Sequence, residues 1–309
     1  MAKTGRVAVT GGRGFLGQYV CKQLRASGHD FVALERQTYD LRNQSRVSAM
    51  YEDLQPTVVV HAAAACGGIG ANVANPARFL YENALMGLLL LEEGRKRGLE
   101  RFVLVSTTCV YPESAQIPYR EEDIWEGLPT KATGYYGVAK RMLHQACAAY
   151  QEQYGLGTAI LIPTNLYGPG DHFEPENSHV VAALIRRYLE AKRGRVQEIL
   201  NWGTGRATRE FMHVNDAARA IVMAVEHSAS LAPTNIGTGC ETSIAELARM
   251  VAAAIGYEGS TKWDITRPDG QPRRCLNVDR ARDVLAFQAE ISLEDGVRET
   301  AQWYAERNP

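Results

Sequence analysis

Thr10-Gly11-Gly12-Arg13-Gly14-Phe15-Leu16-Gly17 constrains this chain more than any other stretch. It follows an apolar strand, "RVAVTG", and opens a helix that runs from about Leu16 to Ser27 and ends at Gly28. Gly11, Gly14 and Gly17 let the backbone turn tightly, approach a pyrophosphate and pack helix on sheet. The helix N-terminus then presents free N–H groups and a positive dipole end. Glycines at this spacing say little alone; between a strand and a helix they specify a dinucleotide-binding crossover. The second strand, "DFVALE", ends at Glu35, about 18 residues past Gly17, where an acid takes the adenosine ribose hydroxyls and repels a 2′-phosphate. Arg36 and Arg13 point the other way, because a guanidinium pairs with phosphate. The expected cofactor is NAD(H), with NADP(H) left open.

The alternation continues along the chain. "TVVVHAAA" is a third strand closed by "CGGIG", "RFVLVST" a fourth and "GTAILIPTN" a fifth. Helices fill the gaps, the longest being Asn75-Pro76 followed by "ARFLYENALMGLLLLEEGRKRG". This pattern predicts an α/β fold, a doubly wound parallel sheet of Rossmann type with helices on both faces. After Asn165, "LYGPGDHFEPENSH" is Pro- and Gly-rich, a long loop of the functional kind. A helix near Val180–Lys192 follows, and "REFMHVNDAARAIVMAVEH" returns to the sheet domain. "PTNIGTG" and the tail from "TSIAELARMVAAAIG" onward finish a smaller, discontinuous α+β domain. The expected dinucleotide-binding domain is 1–170 with 210–236 returning to it, and the expected substrate domain is 171–209 and 237–309.

Composition removes several function classes. With 309 residues, 45% hydrophobic and a net charge of −1, the chain offers nothing to nucleic acid or an anionic membrane surface. Its six cysteines show no CxxC and no metal-like Cys/His spacing, so neither a disulfide framework nor a metal site is expected. "MAKTGRVAVTGG" runs into a strand too early for a signal peptide. No apolar run approaches the roughly 20 residues needed to span a bilayer. A cytoplasmic protein with reduced thiols is the expectation.

"GYYGVAKRMLHQA" sets Tyr136 and Lys140 four residues apart on one helical face, downstream of a strand ending in "STT". That order resembles the short-chain dehydrogenase/reductase superfamily, in its extended branch acting on nucleotide sugars. "HAAA" at 61–64, "YEN" with Asn83, and "YDLR" with Asp40 and Leu41 fit the same branch. The resemblance implies that Tyr136 is the acid/base for hydride transfer at a carbonyl. It implies that Lys140 lowers the tyrosine pKa from about 10, and that Thr107 holds the substrate oxygen. It also places Gly12, Phe15, Leu16, Asp40, Leu41, Ala62, Ala63, Ala64 and Pro163 against the cofactor.

"CGGIGANVANPARFLYEN", "TTCVYP", "PTNLYGPGDHFEPENSHV" and "REFMHV" carry a narrower resemblance, to the GDP-L-fucose synthase family. That family performs 3,5-epimerisation and then 4-keto reduction of GDP-4-keto-6-deoxy-D-mannose. The resemblance runs nearly the whole length. It implies that Cys109 and His179 flank the sugar, that Asn165 contacts the substrate, and that Arg187, Trp202 and Arg209 contact its GDP part. Hydrogens at C3 and C5 beside a 4-keto group are acidic, and inverting those carbons takes a base on one face and an acid on the other. A thiol with a pKa near 8.5 and an imidazole near 6.5 suit those roles at neutral pH. The intervening enolate needs donors at O4, supplied by Tyr136 and Thr107.

Two departures from the family pattern stand out. Thr107 replaces the usual Ser, and Glu35 argues against the NADPH that better-known members use. A redox-neutral, NAD-retaining epimerase of a related GDP-sugar is therefore a second expectation, and a non-catalytic NAD sensor a remote third. A 4,6-dehydratase is disfavoured, since Cys109 and Val110 stand where its acidic pair belongs. Family dimers pair the helices near 76–97 and 135–153 into a four-helix bundle, which implies a homodimer.

Overall fold

The structure, a computed structural model, describes residues 5–175, 178–267 and 269–308. The chain runs β1 (Val7–Thr10), α1 (Phe15–Ala26), β2 (Phe31–Ala33), α2 (Gln44–Leu54), β3 (Val58–His61), α3 (Ile69–Ala74), α4 (Pro76–Lys96), β4 (Arg101–Val105), α5 (Gly134–Tyr154), β5 (Gly157–Pro163), β6 (Asn165–Tyr167) and α6 (Val180–Arg193). It continues through β7 (Glu198–Trp202), β8 (Thr208–Arg209), β9 (Phe211–His213), α7 (Val214–Glu226), β10 (Leu231–Ile236), β11 (Thr242–Ser243), α8 (Ile244–Ile255), β12 (Ser260–Asp264), α9 (Asp279–Leu285) and α10 (Leu293–Arg307).

Six strands form one parallel sheet in the order β10-β5-β4-β3-β1-β2. Both faces are buried, and alternate residues serve opposite layers. Val7, Val9, Val58, Val60, Val103 and Val105 pack under α1, α7 and α9, through Leu24, Ile221 and Leu285. Ala8, Val59, Phe102, Leu104 and Ile160 pack under α2, α4 and α5, through Met50, Leu90 and Leu143. This is the doubly wound α/β sheet the alternation predicts. The direction of winding reverses between β1 and β3, so a crevice opens at their carboxyl ends, where such sheets bind ligands.

A second core joins α6, α8 and α10 with Tyr167 and Phe211, through Ile185, Leu247, Val251 and Val297. Around it lie three two-stranded pairings: β6 with β9, β7 with β12 and β8 with β11. Three local readings shift. The strand of "REFMHV" pairs with β6 rather than entering the main sheet, so α7, packed beside α1, makes the return. "PTNI" is the edge strand β10, held beside β5 because Leu231 and Ile236 bury in the main core rather than the smaller one. The helix at Pro76–Lys96 is matched in length by α5, both 21 residues. Among the described residues no helix is long and apolar enough to cross a membrane.

Candidate active site

The crevice is a cavity of about 900 Å³. Its floor is the glycine turn. Gly11 takes a left-handed φ of +67°, which admits glycine at no steric cost. The N–H of Gly14 donates to the Gly11 carbonyl at 2.8 Å. A Cβ on Gly17 would sit 2.0 Å from that same oxygen, so only glycine lets α1 come this close. Gly14 caps α1 with no side-chain partner, leaving N–H groups of the first turn for an anion. Thr10 Oγ1 bonds His61 Nδ1 at 3.0 Å and accepts the Ala63 N–H at 3.0 Å, tying the ends of β1 and β3 together. Asn83 Oδ1 accepts the Ala65 N–H at 3.0 Å and so pins the loop after β3 to α4. A side-chain-free cradle at an uncapped helix N-terminus fits the pyrophosphate of a dinucleotide.

Gly11, Arg13, Gly14, Phe15, Leu16, Gly17, Glu35, Arg36, Asp40, Leu41, Ala62, Ala63 and Ala64 line this cavity. Gly12 stands behind it, where a Cβ would be 2.7 Å from that of Ala33. Pro163 ends β5 opposite Ile236. Glu35 is ion-paired with Arg13, so the acid and one of the bases that made cofactor choice ambiguous partly neutralise each other. Asp40 accepts two hydrogen bonds from the Arg42 guanidinium, at 2.7 and 2.9 Å, and one from the Arg42 backbone N–H at 3.1 Å, and the guanidinium contact above all lowers the Asp40 pKa to about 2. Arg42 also reaches Glu82 at 3.0 Å. Arg42 and Glu82 lie inside "YDLR" and "YEN" but were not singled out there; their pairing emerges only from the fold.

Tyr136 and Lys140 lie on α5, which crosses the end of β4 very closely. A Cβ on Gly137 would be 2.1 Å from the Cys109 carbonyl oxygen, so this glycine sets the distance between the tyrosine helix and the thiol. Lys140 is buried; its Nζ donates to the Val105 carbonyl at 2.9 Å and lies 6.0 Å from the centre of the Tyr136 ring. Burial lowers the Lys140 pKa to about 8. Burial, and then the thiols of Cys66 and Cys109, push Tyr136 well above its ordinary value. The resemblance implies that Lys140 lowers the tyrosine pKa; here desolvation of the phenolate is the largest influence and raises it, so Tyr136 is held in its proton-bearing form. Thr107 is extended and its Oγ1 accepts the Cys109 N–H at 3.2 Å, capping the turn Thr108–Val110. Cys66, in the "CGGIG" loop, lines the cavity and was not singled out from sequence.

His179 lines the same cavity and immediately precedes α6. Its Nδ1 lies 3.9 Å from Asp171 Oδ1, and Asp171 raises its pKa. Thr107, Cys109, Tyr136 and Lys140 are not among the residues lining this cavity, and neither are the remaining predicted residues. Asn165 Nδ2 donates to the Glu210 carbonyl at 2.8 Å. Arg187 donates to Asn201 Oδ1 at 2.9 Å and the Leu200 carbonyl at 2.7 Å, beside β7. Trp202, at the end of β7, is 70% exposed, with the Arg267 guanidinium 5.3 Å from its ring centre. Arg209 donates to the Thr208 carbonyl at 2.7 Å. Its neighbour Glu210 is fully buried and accepts the N–H groups of Thr238, Gly239 and Leu276. Glu210 thus anchors the chain after β10 and was legible only as an acid inside "REFMHV". Among the described residues no group of three or more His, Cys, Asp or Glu could hold a metal ion.

Residues 7–237 match the family model described as the NAD dependent epimerase/dehydratase family. The chain is 37% identical over 306 residues to the probable GDP-L-fucose synthase 1 of Oryza sativa subsp. japonica, covering 98% of this chain and 93% of that protein. It is 35% identical over 311 residues to the GDP-L-fucose synthase of Escherichia coli (strain K12), covering 97% of each. Among solved structures, a GDP-L-fucose synthetase from Naegleria fowleri bound to NADP superposes with a TM-score of 0.89 at 26% identity, over 100% of this chain and 96% of that one.

Proposed function

The chain belongs to the NAD dependent epimerase/dehydratase family and is a GDP-L-fucose synthase-like enzyme, an NAD(P)-dependent epimerase/reductase; on that premise we propose that it inverts C3 and C5 of a GDP-4-keto-6-deoxyhexose and then reduces its 4-keto group. One observation carries the reading: the close passage of α5 at Gly137 sets Tyr136 beside the Cys109 loop. One crossing thus joins a proton-holding phenol to a thiol, and His179 borders the adjoining cavity.

In this reading the deprotonated Cys109 thiol removes the proton at C3 or C5, and His179 returns one from the opposite face. Tyr136 and Thr107 donate hydrogen bonds at O4 while the enolate exists. NAD(P)H held over the Gly11–Gly17 turn would supply the hydride for C4. Tyr136 gives its proton to O4, and the Lys140 cation steadies the phenolate left behind. Trp202 offers an exposed ring for the guanine base, with Arg187 and Arg209 for the diphosphate. Asn165 orients the sugar. Glu35, on the cavity wall at the end of β2, favours NADH over NADPH. Arg13 and Arg36 keep NADPH as the alternative. Tyr81 and Tyr135, 65% and 57% exposed on α4 and α5, support a homodimer through those helices.

The test is turnover of GDP-4-keto-6-deoxymannose in D2O with NADH or NADPH. Deuterium at both C3 and C5, with one reduced cofactor consumed per product, is expected. Exchange without cofactor consumption favours the redox-neutral epimerase instead. No exchange and no consumption overturns the reading.

A further inference from the structure

His179, assigned above as the epimerisation acid, sits on a loop that brings a second ionisable group to it. Asp171 lines the same cavity wall as His172 and His179. Its side chain is only 1% exposed. Oδ1 accepts the His172 N–H at 2.7 Å and faces His179 Nδ1 at 3.9 Å. Oδ2 is sealed from solvent and has no hydrogen-bond partner among the described residues. A buried carboxylate with an unpaired oxygen calls for a cation or a donor close by. Gly170, left-handed at φ +86°, makes the turn that leads into Asp171. The His179 ring itself is 62% exposed, so its side away from Asp171 stays accessible.

We propose that Asp171 is a positioning residue for the epimerisation: its carboxylate holds Nδ1–H of His179 and leaves Nε2 to deliver the proton. A carboxylate only accepts, so the nitrogen facing it carries hydrogen. The deliverable proton is then on Nε2 and exists only in the imidazolium. On delivery the Nε2–H bond breaks, the new C–H bond forms from the enolate electron pair, and the N–H pair stays on Nε2. The neutral ring keeps Nδ1–H on Asp171 and is reprotonated from solvent. A separation of 3.9 Å is an ion-pair contact that closes by about 1 Å to a hydrogen bond. The Asp171 carboxylate also raises the His179 pKa, against burial, which favours the acid form. Among the described residues Asp171 is the charged group that acts on His179, and the titratable His172 lines the wall beside it.

The inference rests on reading His179 as the acid, and the experiment separates the two. An NMR titration of His179 in the full chain needs no substrate. Wild type should titrate above about 6.5, and Asp171→Asn lower by about half a pH unit or more. With GDP-4-keto-6-deoxymannose in D2O, deuterium incorporation fails at high pH as the imidazolium is lost. That alkaline limb should move to lower pH in Asp171→Asn by the same amount, with a rate about tenfold lower at neutral pH. Asp171→Glu, which keeps the charge, should restore the limb. An ordinary or lowered His179 pKa in wild type overturns the inference without any variant, so poor folding of Asp171→Asn leaves it testable. An unchanged His179 pKa in Asp171→Asn, or a rate loss uniform across pH, also overturns it. A raised, Asp171-dependent pKa in a wild type that exchanges no deuterium sinks the proposed function and not the pairing.

Discussion

Lys140 carries its charge in a place that resists charge. Buried and bonded to the Val105 carbonyl, it has a pKa lowered to about 8, against about 10.4 for the free side chain. Two opposite trends follow. The cation is lost as pH rises through about 8, so the rate of keto reduction should fall there. Between about 8 and 10.4 the unfolded chain holds the extra proton, so this residue makes stability rise with pH. A pH profile of single-turnover reduction checks the first sign. The melting-temperature difference between wild type and Lys140→Met over the same range checks the second, because buried thiols such as Cys147 and Cys275 cost stability there in both proteins. A difference that shifts in favour of Lys140→Met as pH rises would refute the assignment. Cys109 separates the two half-reactions. In Cys109→Ser the group scarcely ionises at neutral pH, and deuterium incorporation at C3 and C5 should drop about a hundredfold. Slow reduction of the unepimerised ketone should persist on Tyr136 and Lys140. Exchange at the wild-type rate would return Cys109 to the role of a packing residue. For the cofactor, Glu35→Gln removes a negative charge from the cavity wall proposed to meet the ribose and releases Arg13. The NADPH-to-NADH preference in kcat/KM should rise at least tenfold, about 1.4 kcal/mol. An unchanged ratio would mean that Glu35 does not read the ribose.

At the scale of elements, the site depends on how closely two helices approach the sheet ends. Gly17 lets α1 touch the Gly11 carbonyl, and Gly137 lets α5 touch the Cys109 carbonyl. Both obstacles are backbone atoms that no rotamer change can move. Gly137→Ala should push α5 away from the end of β4, at about 1–3 kcal/mol of overpacking. Because Tyr136 and Lys140 ride on that helix, kcat should fall by more than the loss of stability suggests. Gly70→Ala is the control: its Cβ would meet nothing within 4 Å, and alanine in α3 should be neutral or mildly stabilising. Calorimetry and steady-state kinetics on the two variants decide the matter; equal behaviour would contradict the close crossing.

At the scale of the molecule, α4 and α5 pack on each other through Gly87 and Leu143 and still expose Tyr81, Tyr135, Val138, Met142 and Tyr154. In the proposed homodimer this face is covered by its copy. Val138→Asp with Met142→Lys should then give a monomer by sedimentation, with the wild-type chain a dimer; a wild-type monomer would remove the proposal. The parallel sheet was readable because its strands are continuous apolar runs, and burial on both faces permits nothing else. The glycine turn was readable because a backbone that must touch its own carbonyl excludes every side chain, a demand written directly into residue type. Tyr136 with Lys140 was readable because four residues return to one helical face. Cys66, Arg42, Glu82 and Asp171 were not: each lies inside a quoted motif, but its partner is distant in sequence or lies across a loop, so the motif does not show what the side chain meets. Cys66 acts on Tyr136, and Asp171 on His179, only after the loops following β3 and β6 are brought to one crevice. The pKa of Tyr136 belongs to the same class. Residue spacing predicts a neighbouring cation, but how far water is excluded from the phenol depends on tertiary packing, and that exclusion determined the direction of its shift.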